Sequence, residues 1–214
     1  MLERIPNAFV NYPNVHSFVF QYVRMQFEDV GAMLRLPIKS LGINNACNFA
    51  SAEVICNLLS GISVTLYQPA NYLKPDGKPI GSGKAFKEFV KAFYPDTSPQ
   101  RSSDVADVLY DQLRNPFAHA LGVLDKSSNQ LKISRAVLVN ADGLSQNRLT
   151  EIEESLQRPP GVDLGVRGAG NQWEIVVEFL YRDALDMMVS LGSDAPQMRV
   201  TEQRFKAGAY AWRR

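Results

Sequence analysis

The sequence predicts a mainly α protein: a bundle of four to five helices, with a small antiparallel β-hairpin or sheet after the fourth helix. Three observations carry this. Apolar residues recur at helical spacing in four stretches of the first half. Beyond His119 the pattern changes to short runs rich in branched residues. Helical and strand signals are segregated along the chain, which argues against a parallel α/β fold.

The first helix is marked by Val15, Phe18, Val19 and Tyr22, and continues through Val23, Phe27, Val30 and Leu34. Pro37 and Gly42 punctuate it, and Asn44 or Asn45 is placed to cap a second helix. That helix runs through Phe49, Ile55, Leu58, Leu59, Ile62 and Leu66, is apolar on most sides and reads as central. Gln68 to Gly83, rich in proline and glycine, reads as a loop. Phe86, Phe89, Val90 and Phe93 then fall at i, i+3, i+4 and i+7, a third helix ended before Pro95. Ser102 or Ser103 caps a fourth, with Val105, Val108, Leu109 and Leu113 inward.

Leu121 to Leu124 and Leu131 to Val139 flank the polar Lys126-Ser127-Ser128-Asn129 and predict the hairpin. Gln157 to Gln172 reads as a long glycine-rich loop, and Trp173 to Val177 as an added strand. A closing helix carries Phe179, Leu180, Leu185, Met188 and Val189, with Gly192 at its end. The division is therefore a helical bundle over residues 1–124, the hairpin and closing helix packed on the same domain over 125–192, and a loosely ordered tail over 193–214.

The chain has 214 residues, 45% of them hydrophobic, which suits one globular domain with or without an appendage. Its net charge is +1, so no global basic field exists to bind nucleic acid tightly and non-specifically. A local phosphate site remains compatible with that balance. No apolar run approaches the roughly 20 residues needed to span a bilayer. The N-terminus carries Glu3 and Arg4 and lacks an uninterrupted apolar core, so it does not read as a signal peptide. Cys47 and Cys56 are nine apart in one helix, about 180° around it, and should not bridge. Reduced thiols and a cytoplasmic location follow as expectations. Two histidines and two distant cysteines do not make a zinc site, and no metal or cofactor is expected. Gly161-Val162-Asp163-Leu164-Gly165-Val166-Arg167-Gly168 lacks the ending of a P-loop and reads as a flexible loop. The tail Arg204-Phe205-Lys206, with Tyr210 and Trp212-Arg213-Arg214, reads as a solvated end. Its basic and aromatic interleaving also suits stacking on single-stranded RNA.

Chemistry concentrates in Leu109-Tyr110-Asp111-Gln112-Leu113-Arg114-Asn115-Pro116-Phe117-Ala118-His119. Arginine, asparagine and histidine within six residues can bind a phosphate, order a loop and move a proton. Pro116 is poorly tolerated deep in a helix but comfortable at the first position of a new turn, with Asn115 as its cap. The fourth helix is therefore expected to kink at Asn115. On a straight helix Arg114 and His119 lie about 140° apart, and a break removes that obstacle. It also turns backbone N–H groups and a positive helix end outward. The competing reading is structural, with Arg114 capping carbonyls and His119 half-buried and satisfied. His16, at the start of the first helix, reads as a surface residue.

The set Arg114-Asn115-x-x-x-His119, the lead-in Leu109-Tyr110-x-x-Leu113, and the run from Phe86 through Val90 and Tyr94-Pro95 resemble the HEPN superfamily over roughly residues 15 to 122. The resemblance implies a HEPN-like four- to five-helix bundle acting as a metal-independent endoribonuclease, often in toxin–antitoxin, antiphage or RNA-processing systems. It also implies a homodimer that brings two Arg–His pairs into one cleft. Arg114 and His119, with Asn115, are then the catalytic set: His119 moves protons and Arg114 stabilises phosphoryl charge. Glu53, which interrupts the apolar run of the second helix, is a candidate to orient Arg114, and Glu53 and Tyr110 complete a substrate-binding set. An antitoxin partner is a further expectation. The alternative is a non-catalytic helical module that binds a partner protein or a nucleotide, favoured by the near-neutral charge.

Overall fold

The computed structural model describes residues 2–35, 48–67, 81–96, 98–116, 130–136, 150, 154 and 163–208. Among them the chain is mainly helical with one small three-stranded sheet. The helices are α1 (Arg4–Ala8), α2 (Pro13–Phe18), α3 (Arg24–Leu34), α4 (Asn48–Thr65), α5 (Ser82–Phe93), α6 (Pro99–Asp107), α7 (Val177–Ser193) and α8 (Ala195–Lys206). The strands are β1 (Gln130–Ser134), β2 (Val166–Ala169) and β3 (Gln172–Val176). None of the described helices is long and apolar enough to cross a membrane. The expected stops at Pro37 and Gly42, the cap at Asn44 or Asn45, Cys47 and the hairpin run Leu121 to Leu124 lie outside the described residues.

The first predicted helix is one rod in which α2 and α3 are joined by a π-helical segment, Val19–Val23. Its buried residues explain the widening. Val15, Val19, Val23 and Phe27 are spaced by four, then Val30 and Leu34 follow at three and four. Repeated steps of four drift around an α-helix, and a turn closed by i→i+5 bonds brings them back to one face. Tyr22, expected inward, is left 42% exposed. In α5 the pattern holds as read, and Ala85, Phe86, Phe89 and Val90 are buried. Each buried Phe or Val contributes roughly 1.5–3 kcal/mol relative to exposure.

The fourth helix departs from expectation at both ends. Its N-cap is Ser98, whose hydroxyl accepts from the Arg101 N–H, with Pro99 in the first turn. Ser102, expected as a cap, is buried inside α6. A proline pre-set for the first helical position outweighs a better-looking serine pair downstream. After α6 a second π-helical segment, Val108–Arg114, leads into Asn115 and Pro116 without a break. Asn115 has φ −70° and ψ −44°, squarely helical, so it is not the non-helical cap that was expected. The chain takes up Pro116 by widening the preceding turn, which shifts the hydrogen-bond ladder past the missing donor.

The sheet has the order β1-β3-β2. β1 pairs with β3 in parallel, from Gln130 opposite Gln172 to Ser134 opposite Val176. The antiparallel partner expected for that run, Leu121 to Leu124, lies outside the described residues, so the pairing seen is an added parallel one with β3. The hairpin is β2–β3, lying in part inside the segment expected as a loop. Gly170-Asn171 makes its two-residue turn with Gly170 at φ +57°, and Gly168, at φ +118°, faces Gln172, whose carbonyl lies 2.0 Å from where a Cβ would sit. These glycines supply turn geometry rather than flexibility.

α7 starts directly after β3 and is buried on every side from Val177 to Met188. It packs against α1, α3, α4, α5 and α8, sharing the centre with α4. Part of the segment expected as a loose tail is α8, helical over residues 195–206 with Asp194 accepting from the Gln197 N–H as its cap, and residues 209–214 lie outside the described residues. The Glu202 carboxylate accepts from the backbone N–H groups of Asn14 and Val15, each at 3.1 Å, and so caps α2. Gln197 and Thr201 donate to the Leu66 carbonyl at the end of α4. One helix thus satisfies orphan groups at the ends of two others.

Candidate functional site

Arg114 is the last residue of the π-helical segment Val108–Arg114, which packs against α4, α5 and α6. The residue is half-buried, and its Nε is buried without an acceptor. Among the described residues its guanidinium makes no hydrogen bond and no ion pair. Its contact is with Tyr110, one turn earlier, over whose ring the guanidinium carbon stands 5.6 Å from the centroid.

Tyr110 is held from several directions. Its ring leans on Phe86 at 5.6 Å. Its hydroxyl occupies the space beside Gly83, 2.3 Å from where a Cβ would be, so only glycine admits it there. The Lys87 ammonium also lies over the ring, 5.3 Å from its centroid. The two cations differ in what else they touch. Lys87 is bound by Asp107 at 2.9 Å and Asp111 at 2.7 Å. Burial works against its charge, but these carboxylates overcome that and hold its pKa above the ordinary lysine value.

Glu53 and Cys56 lie three apart on α4, on neighbouring positions of one helix face. Burial pushes the Cys56 thiol up to about 12, with the Arg114 charge pulling it down and Glu53 pushing it further up. Both charges therefore act on one thiol, yet Glu53 and Arg114 form no ion pair among the described contacts. The expectation that Glu53 orients Arg114 directly has no such bond behind it. Asn115 is exposed and helical. His119 lies outside the described residues. His16 stacks on Phe20, with ring centroids 6.2 Å apart, at the surface of α2.

Beside the site, a groove of about 400 Å³ is lined by Asp104, Asp107, Val108, Asp111, Gln112 and Trp173. Its three carboxylates work against a polyanion in this groove. Among the described residues no three His, Cys, Asp or Glu side chains converge to hold a metal ion.

A second polar constellation escaped the sequence. Glu178, Arg182, Asp183 and Asp186 are all buried on α7. Arg135, just beyond β1, donates through Nε to Glu178 and through Nη2 to the Leu34 carbonyl at 2.6 Å. The Ala136 N–H donates to the other Glu178 oxygen at 2.9 Å. Asp183 accepts from Gly165 N–H at 2.7 Å and is flanked by Arg182 and the Tyr94 hydroxyl. Burial nevertheless pushes its carboxyl up to about 6. Asp186 pairs with Arg4 at 3.4 Å. The sequence signal was the i, i+4, i+5 and i+8 spacing of charges inside an apolar helix. These groups join α7 to its neighbours and line none of the grooves described here.

Comparison with known protein families, curated proteins and solved structures finds no match to this chain.

Proposed function

We propose that the protein is a metal-independent endoribonuclease in which Arg114 and His119 act on the scissile phosphate. The observation that carries this is the half-buried Arg114 guanidinium, without a hydrogen bond among the described residues, five positions before His119. An arginine whose donors are unspent is available to an anion. The resemblance of Arg114-Asn115-x-x-x-His119 to the HEPN hallmark supplies the reaction class.

In that reaction the RNA 2′-hydroxyl attacks the adjacent phosphorus, and the bond from phosphorus to the 5′-oxygen breaks. The products are a 2′,3′-cyclic phosphate and a 5′-hydroxyl. His119 takes the 2′-hydroxyl proton, and a histidine returns a proton to the leaving 5′-oxygen. Arg114 stabilises charge on the phosphoryl oxygens through its planar fork. A homodimer supplies a second His119, so that one serves as base and the other as acid. The same resemblance adds a role in toxin or antiphage defence, with a separate antitoxin as partner.

A second reading is a non-catalytic module that binds a protein. The acidic groove of Asp104, Asp107 and Asp111 favours it, because it suits a basic partner surface better than RNA. The test is RNA cleavage in EDTA by the native protein, Arg114→Ala and His119→Ala. Cleavage leaving 2′,3′-cyclic ends and lost in both variants supports the nuclease. A folded native protein that cuts no RNA supports the binding module.

A further inference from the structure

We infer that Tyr110 is a positioning residue: its ring face sets the direction in which the Arg114 guanidinium presents its donors to the phosphate. The inference rests on the nuclease reading above and changes the role of Tyr110 within it, from touching substrate to holding Arg114. Two independent features carry it. First, the ring of Tyr110 is the one described contact that orients Arg114, with the guanidinium carbon 5.6 Å from the centroid. Among the described residues no carboxylate or carbonyl shares the task. Second, the ring is itself fixed. Phe86 backs it at 5.6 Å, and its hydroxyl is seated against Gly83 where a Cβ would come within 2.3 Å. A ring held this way is a rigid surface for a flexible side chain.

The choice of contact has a chemical consequence. A carboxylate partner would spend the fork of Arg114 and neutralise it, as Asp107 and Asp111 do for Lys87. A ring face attracts the cation through its quadrupole and leaves the in-plane N–H groups unspent. The residue is thereby oriented and still able to hydrogen-bond to phosphoryl oxygens. Lys87 over the same ring adds no competing donor, because its charge is already bound. Ring and carboxylates together keep one cation for structure and one for the ligand.

The test uses the full chain with 15N-labelled arginine, comparing native protein, Tyr110→Phe, Tyr110→Leu and Gly83→Ala. The Arg114 Nε–H resonance is assigned by its loss in Arg114→Ala. A proton over a ring face is shifted upfield. That shift should persist in Tyr110→Phe and disappear in Tyr110→Leu. In the EDTA cleavage assay, Tyr110→Leu should lower kcat about 10- to 100-fold, the scale of an ångström-level misplacement. KM should stay nearly constant, and Tyr110→Phe should restore the native rate. Gly83→Ala, which keeps the ring but moves it, should shift the same resonance and lower kcat. It carries the test if Tyr110→Leu does not fold. If Arg114→Ala abolishes cleavage while Tyr110→Leu and Gly83→Ala cut normally, the positioning role is overturned and the nuclease reading stands. If Tyr110→Phe is as defective as Tyr110→Leu, the hydroxyl itself acts and positioning by the ring face is overturned. If Arg114→Ala cuts normally, the nuclease reading falls and this inference falls with it.

Discussion

Arg135 and Arg114 are both removed from bulk water to different degrees, and they have opposite surroundings. Arg135 is 5% exposed, and its donors meet the Glu178 carboxylate and the Leu34 carbonyl. Arg114 is half-buried, faces a ring, and keeps its N–H groups unspent among the described residues. The first arrangement ties β1, α3 and α7 together. The second leaves a charge available. Burial alone therefore does not say what an arginine does: Arg135 uses its donors within the fold, and Arg114, among the described residues, does not.

The largest effect that sharpens this contrast belongs to the buried pair. Arg135→Ala strands the Glu178 carboxylate, which is 0% exposed, and should cost about 3–5 kcal/mol in urea unfolding. A loss below about 1 kcal/mol would show that the pair is dispensable and that the comparison misjudges it.

Next comes Asp183, another buried carboxylate on α7. Its folded pKa, about 6, lies above the ordinary 3.8. A raised pKa means that the folded state binds the proton more tightly. This contribution is therefore fully present below about pH 3.8 and is lost as pH rises through 6. The loss is on the order of 2–3 kcal/mol at about 1.4 kcal/mol per unit. Unfolding midpoints between pH 4 and 7 should carry this slope in the native protein and lack it in Asp183→Asn. An identical slope in both would remove Asp183 from the account.

Glu202 provides the opposite sign and a smaller effect. Burial acts to raise its pKa, but hydrogen bonds from Asn14 and Val15 hold it below the ordinary 4.5. Its contribution is present above that value and lost as pH falls through the folded pKa. Glu202→Gln should cost about 1 kcal/mol at pH 7, typical of a lost charged cap. An unchanged midpoint would show that α8 is held by other contacts.

What the sequence made legible depended on local pattern. Phe86, Phe89, Val90 and Phe93 repeat on one face, so α5 was readable, and Trp173 and Ile175 alternate as a half-buried strand should. Gly170-Asn171 also carried a turn signal, masked by the other glycines around it. The α7 charges were not readable as buried, because their partners Arg4, Tyr94, Arg135 and Gly165 are remote in sequence or follow from tertiary packing. α8 was hidden for the same reason: its polar residues cap α2 and α4, far from it along the chain. Pro116 signals a disturbance of the helix, which the chain meets with a wider turn over Val108–Arg114 rather than with a restart at Asn115. At the candidate site, Arg114 is singled out by the Arg114-Asn115-x-x-x-His119 set and Tyr110 by the Leu109-Tyr110-x-x-Leu113 lead-in. Gly83, which seats Tyr110, sits 27 residues before it and reads locally as the end of a loop.

The most direct test of the account measures urea unfolding and EDTA-resistant RNA cleavage on the same preparation of Arg114→Ala. An arginine whose donors are unspent should be nearly silent in stability, within about 1 kcal/mol. Its cleavage should fall about 10²- to 10³-fold, the scale of one lost oxyanion donor. A stability loss of several kcal/mol with cleavage per folded molecule unchanged would contradict it, and would place Arg114 with Arg135 among the arginines that hold the fold together.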